Sequence, residues 1–181
     1  MARRRWATAL AAVLAIGLLA GCTSTPKTGT SDEPALIAVA DRKPAPAVTG
    51  ELLDGTGRYD LAAHKGDVVV INFWGSWCAP CVAESGELEQ TYQATKANRV
   101  SFVGIDVRDV RDEARQFAAT RLTYPNIFDP ASSLALGFPV PPSTPSTYVV
   151  DRQGRIALIV RRGLLQSELQ PLVTQLASET V

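Results

Sequence analysis

Val68-Val69-Val70-Ile71-Asn72-Phe73-Trp74-Gly75-Ser76-Trp77-Cys78-Ala79-Pro80-Cys81 opens as an apolar, β-branched run and ends in two cysteines three positions apart. The run over 68–74 has the pattern of a central strand buried on both faces, since no regular polar alternation interrupts it. A helix is expected from about residue 80 to 97. Pro80 fits its first turn, where a backbone N–H has no helical partner to lose. The cysteines therefore lie at a helix N-terminus, where free N–H groups and the positive end of the dipole stabilise a thiolate. Their i, i+3 spacing brings the two sulfurs within bridging range. Cys78, nearer the solvent, is the expected nucleophile, and Cys81 the thiol that resolves a mixed disulfide. Run backwards, the same pair donates a disulfide.

The competing reading of a C-x-x-C is half of a structural zinc site, which needs four ligands. No second C-x-x-C exists, and His64 is the sole histidine. No metal is therefore expected, and His64 reads as a surface residue.

Beyond the cysteines, Val82, Leu88 and Tyr92 offer the helix an inner face, and Gly86 weakens it. Residues 100–107 read as a second buried strand. Residues 109–121 read as an amphipathic helix with Ala114, Phe117 and Ala118 inward, and the charges over 108–115 as a solvated face. A short extended piece at 124–128 and a helical turn at 132–136 follow. Residues 146–151 and 155–160 form a hairpin around Asp151-Arg152-Gln153-Gly154. Residues 167–177 close the chain as a helix with Ser167 as N-cap. A parallel half followed by an antiparallel half implies an α/β fold: one domain with a mixed central sheet and helices on both faces.

The 181 residues are 46% hydrophobic with no net charge, which suits one domain plus appendages. Arg3, Arg4 and Arg5 precede an uncharged run from Trp6 to Ala20, too short for a bilayer-spanning helix and suited to a signal peptide. It ends in Leu19-Ala20-Gly21-Cys22, which resembles a bacterial lipobox. That resemblance makes residues 1–21 a lipoprotein signal peptide and Cys22 a lipid anchor. A plain signal peptide or an uncleaved anchor are the alternatives, and all three export the domain. Residues 22–44 are small, polar and proline-containing, as in a flexible tether, and the domain is expected over 45–181. Leu36-Ile37-Ala38-Val39 is an apolar patch inside that tether, a candidate edge strand. No basic stripe with interleaved aromatics is present, so nucleic acid is not an expected partner.

Residues 69–84, Val-Val-Ile-Asn-Phe-Trp-Gly-Ser-Trp-Cys-Ala-Pro-Cys-Val-Ala-Glu, resemble the membrane-anchored thioredoxin-like proteins of the TlpA/ResA type. The Gly66-Asp67 lead-in and the later Thr144-Pro145-Ser146-Thr147-Tyr148-Val149-Val150-Asp151 with Gly154 fit the same family. The likeness runs over about residues 45–178. It implies a thioredoxin-like fold whose cis-proline, Pro145, faces the cysteines and leaves the Thr144 backbone free for an extended substrate. An ordinary trans loop proline is the alternative. It also implies that Glu84 is the acid near the thiols, able to take a proton from Cys81. The alternative is a solvated helix residue. Asn72 stands where many thioredoxins have a buried Asp, and an amide cannot ionise. It reads mainly as a hydrogen-bonded core amide. Trp77 is expected to shield Cys78 and offer a stacking surface, and Trp74 to pack. Two positions depart from the family. Gly86 replaces a proline that often follows the Glu, and Pro141-Pro142-Ser143 replaces a glycine-containing run before the cis-proline.

The resemblance implies an extracytoplasmic, lipid-anchored protein-disulfide reductase with no cofactor besides the redox-active Cys78–Cys81 pair. Its expected partners are exported protein thiols and disulfides, among them apocytochrome c before haem attachment, and a membrane thiol carrier that recharges it. The chief alternative is an oxidase that inserts disulfides, separated from the reductase by potential alone. A thiol peroxidase and a non-catalytic binding module with a structural disulfide are further alternatives. The first usually needs a Thr-x-x-Cys, and Cys78 stands at the Thr position.

Overall fold

The computed structural model describes residues 33–140 and 142–180; the expected signal peptide over 1–21 and Cys22 lie outside the described residues. Two short antiparallel strands, β1 (Thr49–Glu51) and β2 (Arg58–Asp60), precede the main sheet. The sheet is built from β3 (Val68–Trp74), β4 (Val100–Val107), β5 (Asn126–Asp129), β6 (Ser146–Val150) and β7 (Ile156–Val160) in the order β5-β4-β3-β6-β7. The β3–β4 and β4–β5 pairs are parallel, and the β3–β6 and β6–β7 pairs antiparallel. The helices are α1 (Ala79–Thr95), α2 (Arg111–Arg121) and α3 (Gln166–Ser178). The mixed thioredoxin-like sheet is thus the one expected, with the piece near 124–128 joining it as the outer strand β5.

Every residue of β3 is buried, as its apolar run requires. Alternation divides the core. Val68 and Val70 pack with Leu88 of α1 and Leu169, Val173 and Leu176 of α3. Val69, Ile71 and Phe73 face Tyr59, Phe138 and, from two 3-10 turns, Leu61 and Leu134. Helical structure covers both faces, but unequally. Trp74 has the parity of Val68 and packs with Ala114 and Ala118, so all three α-helices share one face. The parallel β3-α1-β4-α2-β5 half imposes this, because successive right-handed crossovers moving in one direction stay on one side of the sheet.

The second half of the expected tether is held by the domain. Ile37 N–H donates to Ala157 O, Ala45 N–H to Gly154 O and Ile156 N–H to Lys43 O. Val39–Asp41 is a 3-10 turn, so the apolar patch attaches beside β7 without becoming a strand. Arg42 is buried, bonding Asp151 at 3.2 Å and Glu179 at 2.6 and 2.8 Å. The domain's own bonding therefore reaches back to residue 37. At the other end, α3 begins before the expected Ser167. Leu165 is its N-cap, and Glu168 accepts the Leu165 N–H at 2.9 Å.

Candidate active site

β3 ends at Trp74, and Gly75-Ser76-Trp77 carries the chain into α1 at the C-terminal edge of the sheet. A Cβ on Gly75 would overlap the indole of Trp77, so the glycine lets that ring fold back and donate to Val107 O at 3.2 Å. Trp77, directly before Cys78 in the chain, is 51% exposed. Trp74 is buried, stacks near Phe117 and donates to Asn126 Oδ1 at 2.9 Å. Gly104 makes room for that bond, since a Cβ there would overlap Asn126 Oδ1. Trp74 is thus a packing residue, and Trp77 is the exposed indole of the pair.

Cys78 is the N-cap of α1, and its sulfur accepts the Cys81 N–H at 3.3 Å. Pro80 is in the first turn, as expected. Cys78 and Cys81 form a disulfide with Cα atoms 5.2 Å apart. Both are buried, Cys78 the more exposed at 4% against 2%. A sulfur that accepts a helix N-terminal N–H is placed to become a stabilised thiolate when the bond is reduced.

Glu84, one turn past Cys81, is buried rather than solvated. Asn72 Nδ2 donates to its Oε1 at 2.9 Å and the Leu164 N–H to its Oε2 at 3.0 Å. Burial pushes its carboxyl up to about 7, against the opposing pull of these two bonds. Asn72 also donates to Thr147 Oγ1 at 3.1 Å, so this core amide fixes the acid in place. The buried face of α1 is largely polar, with Glu84, Ser85, Thr91 and Thr95 alongside Cys81 and Leu88. Ser85, Thr91 and Thr95 turn their hydroxyls onto carbonyls of the preceding turn. This is why apolar spacing singled out Val82 and Tyr92, which are only half-buried.

The Thr144–Pro145 bond is cis, the geometry the resemblance implied, and Pro145 is buried. His64 is half-buried and stacks on Tyr59. Among the described residues no group of three His, Cys, Asp or Glu side chains is placed to hold a metal, and no helix is long and apolar enough to cross a membrane.

The loop after β4 holds residues that the sequence reading assigned to a solvated face. Asp109 accepts the Ser76 N–H at 2.5 Å and its hydroxyl at 3.0 Å, anchoring the loop before Cys78. Asp106 is fully buried, and neither oxygen has a hydrogen-bond partner among the described residues. Burial, then the neighbouring Asp109 and Asp129, push it up to about 8. Arg108 stands over Trp77 and donates to Thr144 Oγ1 at 2.9 Å. One signal for these residues was present in the sequence: Asp106 lies at the end of a buried parallel strand and Arg108 and Asp109 follow directly on it, and sites in α/β sheets gather at strand C-termini.

Comparison with known proteins agrees with this geometry. Residues 42–159 match the AhpC/TSA family. The thiol-disulfide oxidoreductase ResA of Geobacillus kaustophilus is 26% identical over 61% of this chain and 63% of its own, so the chain spans less than two thirds of that relative. The thiol:disulfide interchange protein HelX of Rhodobacter capsulatus is 31% identical over 76% of this chain and 77% of its own. The crystal structure of a secreted thiol-disulfide isomerase from Corynebacterium glutamicum superposes with a TM-score of 0.76 at 30% identity, covering 86% of this chain and 96% of that one. The chain belongs to the AhpC/TSA family, with a thioredoxin-like fold.

Proposed function

We propose that the chain is an extracytoplasmic thiol–disulfide oxidoreductase, working as a protein-disulfide reductase through Cys78 and Cys81. One observation carries the reading. The Cys78 sulfur accepts the Cys81 N–H at the head of α1, and Glu84 is buried one turn further along the same helix. In the reduced protein the Cys78 thiolate attacks one sulfur of a partner disulfide. A Cys78–partner disulfide forms, and the other partner sulfur leaves and takes a proton. Cys81 then passes its proton to Glu84 and attacks the Cys78 sulfur. The internal disulfide re-forms, and the second partner sulfur leaves as a thiol. Two electrons and two protons reach the partner. A carboxyl poised near 7 suits this transfer, being able both to accept and to return a proton at neutral pH. These steps invoke no cofactor besides the cysteine pair.

Trp77, Thr144 and Pro145 hold the partner chain against the sulfur. A lipid on Cys22 would keep the domain at the outer face of the membrane. The similar structure described as a secreted thiol-disulfide isomerase supports an exported site of action. The proposed partners are exported protein disulfides, with apocytochrome c among them, and a membrane thiol carrier that restores the dithiol.

Equilibration of Cys78–Cys81 against thiol buffers tests the direction. A reduction potential of about −270 mV or lower supports the reductase. A value near about −120 mV makes the protein an oxidant that inserts disulfides. A pair that does not equilibrate at all refutes redox function.

A further inference from the structure

We propose that Arg108 determines specificity by pairing with a carboxylate of the polypeptide presented to Cys78, so that preferred substrates carry Glu or Asp beside the reacting cysteine. The inference rests on the thiol–disulfide reading above and names the class of segment that site accepts.

A groove of about 490 Å³ is bordered by Phe73, Arg108, Ser132, Trp77, which directly precedes Cys78, and Thr144, which precedes the cis-proline. Arg108 bridges its two walls. The guanidinium carbon is 5.0 Å from the centroid of the Trp77 ring, and one nitrogen donates to Thr144 Oγ1 at 2.9 Å. The side chain is exposed and has no carboxylate partner among the described residues. Arg42, Arg99, Arg111, Arg115, Arg155 and Arg162 each have an acid within 4 Å, whereas Arg108 shares its lack of one among the described residues with Arg58, Arg121, Arg152 and Arg161 and is set apart by bordering this groove. A guanidinium has five N–H donors, so most of those of Arg108 remain for a ligand.

The backbone adds a second, independent observation. Three non-glycine residues among those described have positive φ, and two of them, Arg108 at 53° and Ser132 at 54°, border this groove. For a non-glycine residue the left-handed region is strained. The third, Arg99, follows a 3-10 turn and is paired with Asp67. Ser132 also leaves its buried hydroxyl without a partner. Strain, an unpaired cation and an unpaired hydroxyl thus coincide along one groove between Trp77 and Thr144. Stacking on Trp77 fixes the planar cation in advance, so a carboxylate that meets it orders little that is not already ordered.

The test uses blocked heptapeptides with one central cysteine held as a mixed disulfide with 2-mercaptoethanol, flanked by two Glu, two Gln or two Lys residues. The readout is the rate constant for oxidation of the reduced, full-length protein at low salt. An exposed ion pair and its like-charge counterpart together predict a Glu-over-Lys preference of about fivefold, shrinking with added salt. R108K keeps the preference, R108Q brings the ratio to about 1, and R108E reverses it. A purely structural role for Arg108 would not reverse a charge preference. A wild-type ratio near 1, or a ratio unchanged in R108Q, overturns the proposal. The neutral 2-hydroxyethyl disulfide separates the two readings: if the wild-type dithiol fails to react with it, the redox function itself falls.

Discussion

The two ends of β3 treat buried charge in opposite ways. At its N-terminal end, Arg42 ties Asp151 and Glu179 together, and Arg155 reaches Asp151 at 2.8 Å. Hydrogen bonds from Arg42 hold Glu179 below the usual carboxylate range, and bonds from Arg155 and Arg42 outweigh burial to do the same for Asp151. At the C-terminal end, Glu84 and Asp106 are buried without a cation and are pushed up to about 7 and about 8. Arg108 stands there without an anion. One end uses charge to fasten the early segment, the β6–β7 turn and the end of α3. The other leaves titratable and charged groups without a counter-ion at the strand ends that lead to the cysteines, the setting the proposed proton transfer and partner binding require.

Breaking the N-terminal cluster should give the largest effect. R42A leaves part of a buried ion network unpaired and should cost about 3 kcal/mol in denaturant unfolding. The thiol-exchange rate of the folded protein should not change. At the other end the expectation is reversed. E84Q should slow the step that requires Cys81 by about 10²-fold above pH 7. In the wild type that step should accelerate as pH rises through about 7, because ionised Glu84 is the base, and E84Q should flatten the profile. The smallest effect concerns stability. Asp106 has a folded value above its unfolded one, so its contribution is full below the ordinary carboxylate range and is lost as pH rises through about 8. D106N should therefore be more stable than wild type by about 1 kcal/mol at pH 9, with the gain vanishing in acid. Asp151 and Glu179 have the opposite sign. Their contribution is full above the ordinary range and is lost as pH falls through their lowered folded values.

The sequence was informative where burial writes a pattern. The apolar runs that became β3 and β4, the Asp151–Gly154 turn and the Cys78–Cys81 helix start all read directly from residue type and spacing. Pro145 and Glu84 emerged from family resemblance, since neither a cis bond nor a buried acid leaves a periodic trace. The β1–β2 pair was missed because three-residue strands are too short for alternation to register. The packed segment over 37–45 was missed because backbone bonds to a sheet edge do not depend on composition. Arg108 and Asp109 read as surface charge, and only the fold reveals that they lie over Trp77 and under Ser76.

The most direct test of the account is to trap the exchange intermediate. In C81S the resolving thiol is absent, so Cys78 should accumulate as a stable mixed disulfide with a peptide disulfide, identified by mass spectrometry of the linked fragment. C78S should trap little, because Cys81 is the more buried sulfur and lacks the helix N-cap position. Equal trapping through Cys81 in C78S, or none through Cys78 in C81S, would contradict the assignment of Cys78 as the nucleophile.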